Sequence, residues 1–132
     1  MLKEITTHIE DNTVGLTIGV NLFAGYVPST ITGDYVVVIE TGGAVKPELE
    51  DYMDKTVQVL SAASDYQTAR DNALKVYDLL HSEAGITLPV IVAGKEFYAN
   101  TINAISAPQS LGQDSKGRFI ISTNYILRIQ DN

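Results

Sequence analysis

Residues 118–130, RFIISTNYILRIQ, constrain the fold more than any other stretch of the chain. Phe119, Ile121, Thr123, Tyr125, Leu127 and Ile129 fall on one side of a period-2 chain. Arg118, Ser122, Asn124, Arg128 and Gln130 share the other side with Ile120 and Ile126. This alternation predicts a β-strand with one buried face, and its β-branched and aromatic residues suit a pleated surface. At ~3.4 Å per residue the strand would run about 40 Å, long for so small a chain.

At 132 residues the chain fits a single domain, residues 1–132, large enough to bury one core without covalent staples. It contains no cysteine, which excludes disulfides, thiolate zinc sites and cysteine nucleophiles. Nine basic against sixteen acidic residues give a formal charge of −7. The basic residues are scattered singly, whereas nucleic-acid binders cluster them to displace counterions from phosphates. Sequence-specific nucleic-acid binding is therefore not expected. No apolar run approaches the ~20 residues of a membrane span, and residues 1–11 lack the apolar stretch of a secretory signal. No membrane association is expected, and the default location is cytoplasmic.

Leu2, Ile5 and Ile9 recur at helical spacing and predict a short amphipathic helix ending near Asn12, which can take the left-handed capping conformation. Val14, Leu16, Ile18, Val20 and Leu22 alternate with polar residues and glycine, predicting a strand weakened by Gly15 and Gly19. Residues 34–40, DYVVVIE, predict a strand covered on both faces. Thr41, Gly42 and Gly43 predict a turn into an acidic loop that reaches Asp54, and residues 55–62 predict a further strand. Ser64 and Gln67 match a capping box, opening a helix expected over about 64–84 with Gly85 as its stop. Tyr66, Ala69, Ala73, Val76, Tyr77 and Leu80 form its core stripe, with Leu79 off it. Residues 86–92 predict an edge strand because of Pro89. A turn at residues 93–96 leads to a strand over 97–106, and residues 108–117 predict a loop before the final strand. The order indicates an α+β fold, an antiparallel or mixed β-sheet carrying the short N-terminal helix and the long one.

Motifs for chemistry are few. His8 and His81 stand far apart, with no metal-ligand spacing around either. Ser64 and Ser122 lack a nucleophile elbow and read as a cap and a strand position. Gly42 and Gly43 are not followed by a phosphate-cradling sequence. The carboxylates between Glu40 and Asp54 lack the spacing of a calcium loop and read as a solvated segment. No catalytic, cofactor-binding or metal-binding residue is assigned.

Three stretches carry a family resemblance: residues 19–23, GVNLF, leading to Pro28; VQVLSAASDYQTARDNALKVYDLL; and PQSLGQDSKGRFIISTNYILRI. Together they resemble the small minor capsid proteins of tailed bacteriophages, which are similar to tail terminators, also called tail completion proteins. The most specific part is Pro108, Leu111, Gly112, Asp114, Gly117, Arg118, Phe119, Asn124 and Tyr125. Ala62 and Ala63 depart from the pattern, since many relatives carry an arginine there.

The resemblance implies a non-enzymatic virion assembly protein without a cofactor. It further implies a homohexameric ring on the head-proximal end of the tail tube, which stops tube polymerisation and performs head–tail joining. The implied partners are copies of the chain itself, the tail tube protein and the head–tail connector, in a tail assembled in the host cytoplasm. Candidate interface residues are then Leu79, Leu111, Asp114 and Arg118. A channel that passes DNA favours an acidic lining, for which Glu48, Glu50, Asp51 and Asp54 are the candidates. Ile120 and Ile126 need cover as well, from the N-terminal helix or from a neighbouring subunit. Two alternatives stay open: a small α+β enzyme or ligand-binding domain, and another head–tail joining protein.

Overall fold

The computed structural model describes residues 1–45 and 52–131, with residues 44, 45 and 131 described by backbone only. Helix α1 (Leu2–Asn12) opens the chain, followed by the three-residue strand β1 (Leu22–Ala24). Two long strands, β2 (Tyr35–Val45) and β3 (Tyr52–Ala63), lead into helix α2 (Tyr66–Leu80). Strands β4 (Glu83–Thr87), β5 (Phe97–Ala104), β6 (Gln109–Gln113) and β7 (Phe119–Asp131) complete it. The sheet runs β1-β2-β3-β7-β5-β4, and β6 also pairs with β7. Among the described strands only β1 and β2 pair in parallel, so the sheet is mixed and the fold is α+β.

The alternating strand lies at the centre. One edge of β7 meets β3 along its whole length, and the other meets β6 near Phe119 and β5 near Tyr125 to Asp131. Its odd-numbered residues Ile121, Thr123, Tyr125, Leu127 and Ile129 are all buried, as the alternation predicts. Both helices pack on this face: Ile5 and Ile9 of α1 and Val76 and Leu80 of α2 join Val36, Val38, Val57 and Val59 in one core. Each such side chain contributes ~1.5–3 kcal/mol by leaving water, which is why helices this short hold their shape. A second cluster, Ala63, Ala69, Ala73 and Ile121, seats the start of α2 close to the sheet through its small side chains. Ile120 and Ile126 lie on the opposite face and are half-buried, and α1 does not cover them. On that face Val37 and Ala62 are buried, so β2 is covered on both sides, as residues 34–40 imply.

Several boundaries differ from expectation, each for a local reason. Residues 14–21 do not form a strand. The Asn21 side chain accepts from Thr17 N–H and donates to the Gly15 carbonyl, both at 2.7 Å, and takes the place of a ladder. Asn12 is the last helical residue and not a left-handed cap, because Thr13 follows in extended conformation. Residues 41–43 are a bulge inside β2, with the register shifting between Glu40 and Gly42 while the strand continues to Val45. The acidic loop shrinks accordingly, and Asp54 lies within β3.

Helix α2 is capped by Asp65, not Ser64: its carboxylate accepts from Thr68 N–H at 3.1 Å and from the Thr68 hydroxyl at 3.0 Å. It ends at Leu80, short of the expected 84, and Gly85 falls inside β4. The His81 ring stacks on Tyr77 and accepts from Ala104 N–H at 3.1 Å, which ties the chain to β5 and starts a strand where more helix was expected. Pro89 ends pairing early, so Leu88 is buried while Val90, Ile91 and Val92 remain exposed. Within residues 108–117, read as a loop, β6 forms a hairpin with β7.

Candidate interaction surfaces

Among the described residues no three His, Asp or Glu side chains converge as metal ligands would. No helix among the described residues is long and apolar enough to cross a membrane. What the fold does arrange is two exposed strand edges that carry apolar side chains.

The first edge is β6. All five of its residues are exposed, and the register shift between Ser110 and Gly112 leaves Leu111 as the extra residue of a bulge. A bulge re-aims the side chain it carries, and Leu111 is 57% exposed. Ile105, 61% exposed, stands beside the same edge, since its N–H donates to the Asn124 carbonyl of β7 at 2.8 Å.

The hairpin behind Leu111 is held by two other candidates. Asp114 accepts from the backbone N–H groups of Lys116 and Arg118 at 2.9 and 2.8 Å, and from Arg118 Nε at 2.9 Å. The backbone donor of Arg118 is the chief reason the Asp114 carboxyl sits below its ordinary pKa, with partial burial opposing it. Arg118 also donates to the carbonyls of Gly33, at 3.2 Å, and Ile31, and lies 4.9 Å over the Tyr35 ring. These partners are internal. The pair therefore clamps the β6–β7 turn to the chain before β2, and reversing either charge would disturb the fold.

The second edge is β1. Between it and α1 runs a groove of about 380 Å³, lined by Ile18, Leu22, Phe23, Tyr26, Pro28 and Ile91 among others. A hollow of about 520 Å³ adjoins it through Lys3, Ala24 and Ile91. Tyr26 is 74% exposed at the groove's side. Nothing in the alternation of residues 14–22 pointed here, because the groove depends on that segment turning instead of extending. The glycines and Pro28 were the only available signal.

Of the remaining candidates, Leu79 is half-buried against the main core. Asp54 faces Arg128 of β7 at 3.8 Å. Glu48, Glu50 and Asp51 lie outside the described residues.

A domain that shows exposed apolar side chains at two separate strand edges, β1 and β6, is of the kind that works packed against other proteins. The sequence family described as bacteriophage tail terminator protein matches residues 8–131. The chain belongs to that family; its role is structural and its place is the virion tail. A chain from a virion of a native gene transfer agent particle has the same fold, at a TM-score of 0.52 and 20% identity, over 85% of this chain and 80% of that one. No curated protein matches the sequence.

Proposed function

We propose that the protein forms a ring on the head-proximal end of the tail tube, ends tube polymerisation there and presents the face to which the head connector docks. The observation that carries this reading is family membership across residues 8–131. The two dissimilar apolar edges support it, because a ring closes only through contacts between different patches of each subunit. Six copies is the stoichiometry we propose, with the tail tube protein and the head–tail connector as axial neighbours. No catalytic step is needed, since capping is a matter of complementary surfaces. We further propose that the β2–β3 arm, with Asp54 on β3 and Glu48, Glu50 and Asp51 between the two strands in sequence, faces the channel. Fixed negative charge there would let DNA pass without adhering.

Polymerising tail tube protein with and without the purified chain tests this. Electron microscopy should show tubes of limited length, each ending in a ring with its acidic arm inside the lumen. Tubes that grow to the same length with the protein present would exclude the terminating role. A ring with that arm on its outer wall would exclude the acidic lining alone.

A further inference from the structure

The register of the sheet aligns its two apolar edges on a single row. Leu22 of β1 pairs with Val36, Val36 with Ser61, Ser61 with Ile121, and Ile121 with Ser110 of β6. At this level the sheet is five strands wide, β1-β2-β3-β7-β6, and its two ends stand about 19 Å apart at ~4.8 Å per strand. One end carries an exposed apolar side chain, Leu111, with exposed Ile105 farther along the same side of β7. The other carries the apolar groove between α1 and β1. The edges differ in shape, one a knob and one a hollow, so they suit a head-to-tail contact and not a self-complementary one.

Charge narrows the occupant further. Residues 12–33, which supply most of the groove, contain no charged side chain, Lys3 of α1 being the one charged residue among those described that lines it, and residues 105–113 on the knob side contain none. Elsewhere the chain carries 25 charged residues and a net −7, so copies brought together on most other surfaces repel. Depletion of charge is the mark of the buried centre of a protein interface. The β6 edge carries no charge or proline, and its bulge interrupts the ladder at Leu111, so what it offers a partner is that side chain and not a further strand pairing.

The groove side has its own constraint. Leu22 N–H donates to the Thr17 carbonyl and the Leu22 carbonyl accepts from Gly19 N–H, so the local turn already occupies the outer edge of β1. Sheet extension is blocked at Leu22, and the groove admits a side chain.

We infer that the groove between α1 and β1 receives Leu111 from the β6 edge of a second copy of this chain. This contact would repeat around the assembly. The inference rests on the ring reading above and assigns the surfaces through which the ring closes.

The absence of cysteine allows a direct test. Leu111→Cys and Ile18→Cys are made separately and together, and each variant's fold is checked by circular dichroism. Under a mild oxidant the double variant should give a ladder of disulfide-linked oligomers, whereas each single variant stops at dimers or stays monomeric. An equimolar mixture of the two single variants should give the mixed dimer severalfold above either homodimer. A mixed dimer no more abundant than the homodimers, or a Leu111→Cys variant that dimerises best with itself, overturns the contact. Ile105→Cys with Tyr26→Cys repeats the test should the first pair fail to fold. The two readings fail separately. Wild-type protein that caps tubes while neither pair cross-links leaves the terminator role and removes this contact. A ladder from protein that never arrests tubes leaves the contact and removes the role.

Discussion

Tyr125 has no exposed surface, yet among the described residues its hydroxyl has no hydrogen-bond partner, and neither has the buried hydroxyl of Thr123. Burial pushes the phenol well above its ordinary pKa; Thr123 is near enough to offset a little of that but falls short of hydrogen-bond geometry, so both hydroxyls count as unpaired. An orphaned buried hydroxyl costs ~1–3 kcal/mol. Tyr125→Phe should therefore raise stability to urea by about 1 kcal/mol. A loss of that size would reveal a partner for the hydroxyl. Alternation alone places Tyr125 in the core, because period 2 fixes which side chains share a face. It says nothing of the missing partner, which depends on what α2 brings above it. The same limit applies to Asp114 and Arg118. Their four-residue spacing is plain in the sequence, but their carbonyl and ring partners, Gly33, Ile31 and Tyr35, lie over 80 residues away.

The strands divide into those fixed by pattern and those fixed by neighbours. β7 matches its expected span to within a residue at each end, and β3 extends beyond expectation because β7 offers it partners down to Tyr52. β6 has no apolar periodicity and forms because the Asp114 turn folds it back on β7, so a reading by composition takes it for loop. That turn makes an acid-dependent prediction. The Asp114 carboxyl is held below its ordinary 3.8, so its contribution to the hairpin is complete above that value and is lost as pH falls through the lowered one. The amide resonances of Lys116 and Arg118 should titrate together with a midpoint below 3.8, and a midpoint at or above it would contradict the clamp. Glycine does comparable work in the β2 bulge. Gly43 has φ of +140°, and a Cβ there would run into the Asp54 carbonyl, whereas Gly42, at φ of +105°, has open space. Gly43→Ala should cost at least ~2 kcal/mol and expose the arm to proteolysis. Gly42→Ala should cost clearly less in the same denaturation assay. Equal costs would mean that the carbonyl clash is relieved by a backbone shift.

On the scale of the whole molecule, the α+β class follows from the order of helical and alternating segments, and the single mixed sheet agrees with it. The strand order does not follow, since nothing local tells β7 to sit between β3 and β5. The groove escapes a sequence reading for the same reason, as its walls come from α1, β1 and the segment at Ile91. That central position has a consequence in time. The last of the described elements supplies the partner edge for β3, β5 and β6. Synthesis at about 5–20 residues per second leaves the β2–β3 hairpin waiting several seconds or more for β7. During that wait Val57 and Val59 lack the strand that completes their sheet, and the charge-free segments stand open to other chains. A chain whose mature work is to meet its own copies must pass through synthesis without meeting them too soon, and the last strand to emerge sets the length of that interval.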